Sequence, residues 1–168
     1  MAWNGLTLTV EGQNALNNAQ LSNRMNIKSI VVGDGASPSN FRVLKRLVNP
    51  LYEITELKID MTENGCTLTA EIPRVDYDYY FREIGVMIST EEGDKLYVYD
   101  NSGEDAQHIV STTGVETTKK RVRISLAISD VAEITVSNPS VLYVAYDDFD
   151  NVTKALGDAV EVLDAAME

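Results

Sequence analysis

The stretch LKIDMTENGCTLTAEI, residues 57–72, decides the fold, because apolar and polar side chains alternate on both sides of Asn64-Gly65. Alternation with a period of two is typical of a strand that has one buried and one solvated face. Asn-Gly tolerates the positive φ values that a tight hairpin turn requires. The stretch therefore predicts an antiparallel β-hairpin with its turn at residues 63–65, and Pro73 ends its second strand.

Alternating or β-branched segments continue on both sides of this hairpin. They predict further strands, at residues 25–32, 84–88, 96–99, 122–128 and 131–136. The polar residues 100–118, with Gly and Ser among them, are predicted to form a long surface loop. Most of the chain is therefore expected to build one largely antiparallel sheet.

Two short helices are predicted near the N-terminus. Residues 11–20 carry Ala15 and Ala19 at helical spacing. Ser39 or Asn40 can cap a second helix through residues 41–47, and Pro50 prevents its continuation.

The last segment, residues 141–168, lacks proline and has a different apolar pattern. Its apolar residues recur at steps of three and four, at Phe149, Val152, Leu156, Ala159, Leu163 and Ala166. This spacing is the a/d stripe of a coiled coil, and it predicts an oligomer interface along these residues. The same residues also fit an amphipathic helix that folds back on its own domain.

These patterns together predict an α+β fold. Residues 1–140 are expected to form a mostly antiparallel sheet domain with short N-terminal helices. Residues 141–168 are expected to form a C-terminal helix that begins a coiled-coil stalk.

Charge and cysteine content restrict the partners. The net charge is -12, so the molecule as a whole repels phosphate and anionic lipid, and we expect neither nucleic acid nor membrane as a partner. The single cysteine, Cys66, cannot form an internal disulfide and is predicted to be a small buried side chain.

Catalytic and ligand-binding patterns are weak throughout. The only histidine, His108, falls in the predicted loop without a nucleophile pattern around it. Gly33-Asp34-Gly35 lacks the third glycine of a dinucleotide site and is interpreted as a turn. Asp76 and Asp78 lie among bulky tyrosines, and Asp147, Asp148 and Asp150 lack the glycine and the later bidentate glutamate of a calcium loop. We therefore predict a protein that is not an enzyme, with no catalytic residue, cofactor or metal site.

Tyrosines concentrate in the middle of the chain, at Tyr77, Tyr79, Tyr80, Tyr97 and Tyr99. A tyrosine covers apolar area and keeps one polar group, so these residues suit either a protein interface or ordinary sheet packing.

Six pieces of the sequence occur in the order seen in one family. They are LTLTVEGQNAL (6–16), IKSIVVGDG (27–35), LVNPLYEITEL (47–57), LTAEIP (68–73), FREIGV (81–86) and VRISLAISDVAEITVSNP (122–139). In these pieces, over roughly residues 5–146, the chain resembles the tail-collar fibre protein family. These are the N-terminal domains of tail fibres in contractile phages and phage-tail-like bacteriocins.

The resemblance implies a structural tail-fibre protein that anchors the fibre to the baseplate and supports host attachment. It implies a homotrimer bound to a baseplate wedge protein, made in the bacterial cytoplasm and located in the virion or tail-like particle. Because loops on a rigid sheet usually carry binding, the candidates for baseplate contact are Gly33, Asp34, Gly35, Asp76, Tyr77 and Tyr79. The alternatives are a monomeric tail adaptor or assembly protein and a small carbohydrate-active virion enzyme.

Overall fold

The computed structural model describes residues 3, 5–75, 77–109, 111, 120–128 and 130–139. In this part of the chain strands hold 52% of the residues and helices hold 13%. The fold is therefore mainly β with several sheets, and the prediction of an α+β fold with two N-terminal helices is wrong. No coiled coil is evident within the described residues. The predicted C-terminal helix, residues 141–168, lies outside them, as does the predicted oligomer interface at Phe149, Val152, Leu156, Ala159, Leu163 and Ala166.

The described elements follow one another along the chain as one helix, one 3-10 turn and a series of strands. They are β1 (Thr7–Leu8), α1 (Val10–Ser22), β2 (Arg24–Gly33), the 3-10 turn (Phe41–Val43), β3 (Pro50–Ile54), β4 (Lys58–Thr62), β5 (Gly65–Glu71), β6 (Tyr79–Phe81), β7 (Glu83–Thr90), β8 (Gly93–Asn101), β9 (Gln107–Ile109), β10 (Arg121–Ala127) and β11 (Glu133–Val136).

Helix α1 has clear start and stop signals, and the prediction of a helix over residues 11–20 is confirmed. The Thr9 hydroxyl accepts a hydrogen bond from the Gly12 N–H at 2.8 Å, which satisfies one of the unpaired N–H groups of the first turn. Asn23 ends the helix in the left-handed conformation, with a φ of 66°. Ala15 and Ala19 are the apolar side chains that the helix buries.

The largest sheet has β7 and β2 at its centre. Its strand order is β1-β8-β7-β2-β11, and β3 also pairs with β2. The ten-residue β2 has two partners on the edge opposite β7, because its first half pairs with β11 and its second half with β3. The β2–β11 pairing is parallel, whereas the other pairs in this sheet are antiparallel.

The predicted hairpin is confirmed as β4–β5, with Thr62 opposite Gly65. Strand β10 adds to the other side of β5 and completes a three-stranded sheet. Gly65 is needed here for space, because a Cβ at this position would lie 1.9 Å from the Leu126 carbonyl oxygen. The glycine thus permits both the turn and the close approach of β10.

The structure corrects the predicted loop over residues 100–118. Asp100 and Asn101 belong to β8 and are buried, and His108 lies on β9, which pairs with β6 in a two-stranded ribbon. Residues 110 and 112–119 lie outside the described residues. Polar composition led to the loop prediction, but long-range hydrogen bonds bury these polar groups in the fold.

The predicted second helix is only the 3-10 turn Phe41–Val43, after which Leu44 is extended with ψ at 141°. Its apolar side chains are spaced as on a helix, yet they reach the sheet from an irregular loop. Phe41, Leu44 and Leu47 pack with Leu96 and Tyr99. The loop is therefore stabilised by packing of these side chains on the sheet, and not by the intrahelical hydrogen bonds that the spacing predicted.

The core has two clusters. The main cluster joins α1 to the inner face of the large sheet and to the three-stranded sheet, and Cys66 is buried in it as predicted. The second cluster contains Leu47, Leu96 and Tyr99, with Val31 and Met87 packed against it. Side chains alternate between the faces of a strand, so Val31 points away from Ile30 and Val32 of the main cluster. The β2–β3 loop, residues 34–49, therefore packs against the second face of the sheet.

Candidate binding surface

A buried carboxyl group holds the β2–β3 loop on the sheet. Glu83, at the start of β7, is fully buried. Its Oε2 atom accepts hydrogen bonds from the N–H groups of Gly35, at 3.0 Å, and Asn49, at 2.7 Å. Its Oε1 atom accepts from the Val48 N–H, at 2.9 Å, and from the Tyr99 hydroxyl, at 2.6 Å. One side chain therefore joins both ends of the loop to β7 and β8.

Asn101 extends this buried polar network. Its Nδ2 atom donates to the Gly35 carbonyl oxygen and to the Tyr99 hydroxyl oxygen, each at 3.0 Å. Burial raises the pKa of the Tyr99 phenol, and the hydrogen bond to Glu83 raises it further. The phenol therefore keeps its proton and remains a donor to Glu83. Buried polar groups that satisfy one another in this way fix a single loop conformation.

The glycines of the first loop turn make room for Glu83. A Cβ at Gly33 would lie 2.4 Å from the Asn49 carbonyl oxygen and 2.6 Å from Glu83 Oε2. A Cβ at Gly35 would lie 2.5 Å from the Val48 Cβ atom. Both glycines are buried, whereas Asp34 is half-buried and accepts a hydrogen bond from Asn49 Nδ2 at 2.6 Å. A baseplate contact at these three residues stays a prediction, and the structure gives the two glycines an internal role.

The outward side of the same loop is basic and apolar. We call it the loop surface and define it by five exposed side chains, those of Arg42, Val43, Lys45, Arg46 and Val48. Val43 is 60% exposed and Val48 is 47% exposed, although both are aliphatic. The Lys45 side chain is 79% exposed and lies 4.0 Å from a Glu11 carboxylate oxygen. Exposed aliphatic side chains next to arginines, a residue type that is enriched at protein interfaces, make the loop surface a candidate for binding another protein.

An apolar groove lies beside the loop surface on the second face of the sheet. It has a volume of about 340 Å³ and contains Val31, Leu47, Leu51 and Met87. The side chains of Arg46 and Glu53 also line the groove, and both residues are exposed. The β2–β3 loop therefore covers only part of this face.

A second exposed surface lies on the β6–β9 ribbon, and we call it the ribbon surface. Tyr80 stands opposite His108, with their ring centroids 5.2 Å apart. His108 Nε2 lies 3.1 Å from Asp78 Oδ2, and Asp78 Oδ1 accepts from the Ser111 N–H at 2.8 Å. The Ser111 hydrogen bond is the main reason that the pKa of Asp78 is lowered, and His108 adds to the effect. The ribbon surface thus combines aromatic rings with a carboxylate.

The predicted contact residues of this region differ in exposure. Tyr77 is 55% exposed, and its hydroxyl forms a 2.5 Å hydrogen bond with that of Tyr52. Tyr79 is buried and donates to the Pro73 carbonyl oxygen at 2.6 Å, and burial raises its pKa. Asp76 lies outside the described residues. Of the two tyrosines, Tyr77 is therefore the one that the structure leaves open to a partner.

The chemistry available to these groups is limited. The side chains of His108 and Asp78 are 47% and 53% exposed, so their hydrogen bond is accessible to solvent. Burial raises the pKa of the Cys66 thiol to about 11, which keeps it protonated and unreactive near neutral pH. Within the described ranges, no group of three or more His, Cys, Asp or Glu side chains is arranged to hold a metal ion.

Sequence reasoning did not find Glu83 or Asn101. Glu83 lies directly before the predicted strand at residues 84–88 and has no predicted role of its own, and Asn101 lies in the predicted surface loop. No local signal marks either residue, because Glu and Asn side chains are mostly exposed and the loop groups that these two bind lie far away in the chain.

In comparisons with protein-family models, with characterised proteins and with solved structures, nothing matches this chain. Among the residues that the structure describes, no helix is long and apolar enough to cross a membrane.

Proposed function

We propose that this chain is a structural tail-fibre protein that anchors the fibre to the baseplate of a contractile phage tail or tail-like bacteriocin. It supports host attachment as a homotrimer bound to a baseplate wedge protein, and it is not an enzyme. It is made in the bacterial cytoplasm and located at the baseplate of the virion or tail-like particle. The sequence resemblance to tail-collar fibre proteins is the origin of this proposal.

The observation that carries the proposal is the rigid loop surface. An anchor must present a fixed shape to its partner, because a loop that is ordered only on binding lowers the affinity. The Glu83 hydrogen bonds hold the loop from inside, while Val43 and Val48 remain exposed outside. This combination favours an attachment protein over a catalyst, which would need converging reactive groups in a recess.

The ribbon surface gives secondary support. Its tyrosines present wide, amphipathic rings at a low entropic cost, which suits contact with a second protein. The exposed Tyr80 lies on β6, whereas the exposed Tyr77 lies two residues before this strand and its hydroxyl is hydrogen-bonded to that of Tyr52.

The proposal is tested by locating the protein in particles. Antibodies raised against residues 1–139 are applied to tail particles from the source cells and viewed by negative-stain electron microscopy with gold labels. We expect gold at the baseplate end of the tail. Label that is absent from particles, or that is found along the tail tube, contradicts the proposal. Particles purified from cells that lack the gene serve as the control and should carry no label.

A further inference from the structure

We infer that the loop surface and the groove beside it form a docking site for an acidic segment of a partner protein that also carries aliphatic or aromatic side chains. The inference deepens the proposed attachment function and rests on it for its biological role.

Charge is distributed unevenly along the chain. Residues 1–52 contain five cationic residues, namely Arg24, Lys28, Arg42, Lys45 and Arg46. The same residues contain only Glu11 and Asp34 as acids. The remaining residues hold nine Lys or Arg and 24 Asp or Glu, so the chain has a basic N-terminal part within a net charge of -12. At the loop surface, Arg42, Lys45 and Arg46 outnumber two carboxylates, that of Glu11 beside Lys45 and that of Glu53, which lines the groove and pairs with Lys28. A partner attracted to the loop surface is therefore itself acidic at the point of contact.

The cations of the loop surface are available to such a partner. Lys45 is mostly exposed, and its ion pair with Glu11 is long, at 4.0 Å. Arg46 is exposed and lines the groove. Arg42 uses one guanidinium nitrogen, Nη1, to donate to the Leu8 carbonyl oxygen at 3.0 Å, which holds its side chain beside β1. An arginine held in this way presents its remaining donors to a carboxylate at little further entropic cost.

The apolar part of the site suits protein side chains better than it suits a nucleic acid. Val43 and Val48 are exposed, and the groove places Val31, Leu51 and Met87 within reach of a partner side chain. The about 340 Å³ of the groove accommodates one or two large aliphatic or aromatic side chains. Nucleic acid would leave this apolar area uncovered, and its long charged backbone would extend from the basic loop surface onto the acidic remainder of the molecule, which a short acidic segment need not do.

The loop is fixed before a partner arrives. Glu83 accepts hydrogen bonds from Val48 and Asn49, directly after Arg46 and Leu47 in the chain. Leu47 is itself almost fully buried against Leu96 and Tyr99. The loop surface is therefore preorganised, and its binding free energy is not reduced by ordering of the loop.

The test uses a library of short random peptides displayed on yeast, selected against the full chain immobilised through its N-terminus. We expect the enriched peptides to be acidic and to contain Leu, Ile, Phe or Trp. The affinity of the best synthetic peptide is then measured by fluorescence anisotropy. Val43→Asp and Arg46→Glu should each weaken binding by about tenfold or more.

Matched variants control for fold and for general charge. Met61→Asp places the same new charge at a side chain that is 56% exposed on β4, and Arg123→Glu reverses a cation on β10. Both should leave the affinity within about twofold of the parent, because neither residue belongs to the loop surface. Circular dichroism spectra of all four variants should match the parent, since the substituted side chains are exposed.

Four outcomes overturn the inference. They are the absence of peptide binding, enrichment of basic or uncharged peptides, equal losses in the control variants, and binding of a DNA or RNA oligonucleotide that Arg46→Glu abolishes. Peptide binding that behaves as expected while gold labels are absent from tail particles would retain the docking site and reject the tail-fibre role. Labelled particles without peptide binding would retain the role and reject this docking site.

Discussion

Glu83 is the residue on which the shape of the loop surface depends. Its two oxygens accept four hydrogen bonds, three of them from backbone N–H groups on the β2–β3 loop. Loss of the Glu83 carboxylate would leave the buried N–H groups of the loop without their acceptor, which costs free energy. The conformations of Gly35, Val48 and Asn49 are therefore coupled through one side chain.

Replacing Glu83 with glutamine tests this coupling. The side chain keeps its size, but its amide group directs N–H donors at backbone N–H donors. We expect Glu83→Gln to lower the free energy of unfolding by about 1–3 kcal/mol. Urea denaturation measures the loss, and hydrogen exchange at Gly35, Val48 and Asn49 should become faster. The exposed Glu56→Gln serves as the control, and equal stability of the two variants would contradict the coupling.

Tyr97 makes stability depend on alkaline pH. Burial raises its pKa from 10.0 to about 12. Because the folded-state pKa is the higher one, the stabilisation is fully present below pH 10 and is lost as the pH rises through 12. In that range the unfolded chain releases the phenol proton before the folded chain does. We expect this residue to account for about 2 kcal/mol of the loss.

The measurement compares the parent with Tyr97→Phe by urea denaturation between pH 9 and pH 12. The phenylalanine variant should lose less free energy of unfolding over this range, while the buried Tyr79 and Tyr99 still contribute, since burial raises their pKa values too. An identical pH dependence for the two proteins would show that Tyr97 titrates normally.

At the scale of elements, the three-stranded sheet depends on a glycine at the end of its central strand. Gly65 lies opposite Thr62 on β4 and opposite Ala127 on β10. The backbone of β10 approaches it so closely that a Cβ would overlap the Leu126 carbonyl oxygen. The hairpin alone would tolerate a side chain better than the complete sheet does.

Gly65→Ala is therefore expected to weaken the β5–β10 pairing and to lower the free energy of unfolding by about 1–3 kcal/mol. Hydrogen exchange should increase at β10 more than at β7. Gly103→Ala is the control, because its Cβ would meet no atom within 4 Å and only the positive φ of 69° opposes it. A larger loss at residue 103 than at residue 65 would contradict the role given to the close approach.

Elements also explain how one sheet supports two surfaces. Strand β2 pairs with β7 along its length, and β7 begins with Glu83, which holds the loop that leaves β2. Strand β6 lies directly before β7 in the chain and pairs with β9, and this two-stranded ribbon presents Tyr80 and His108. The loop surface and the ribbon surface are thus both positioned by β7.

At the scale of the whole molecule, the predicted interface of residues 149–166 lies outside the described residues, so it rests on the apolar stripe alone. If these residues associate, replacing Leu156 and Leu163 with Asp should change the mass in solution from that of a trimer to that of a monomer. Light scattering coupled to size exclusion measures this mass. Asp158→Asn and Asp164→Asn change charge between the stripe positions and should leave the mass unchanged. A parent protein that is already monomeric would reject the homotrimer.

Part of the fold was predictable because its determinants are local. The hairpin of β4 and β5 and the helix α1 follow from alternation, a turn dipeptide and a capping threonine within a few residues. The helix predicted over residues 41–47 is wrong because its local signals, helical spacing and a capping residue at Ser39 or Asn40, are also compatible with a single 3-10 turn. Their actual partners, Leu96 and Tyr99, lie on β8.

What the sequence determined by itself is the set of local elements that need only near neighbours, including most strands, the first helix and the burial of Cys66. Only the tertiary structure decided that Glu83 binds Gly35, 48 positions earlier, and that Asn101 binds Gly35 from 66 positions later. Such hydrogen bonds form after distant strands have paired, and the cost of a buried, unsatisfied carboxyl group then selects the loop conformation. No pattern within a short window of sequence contains that information.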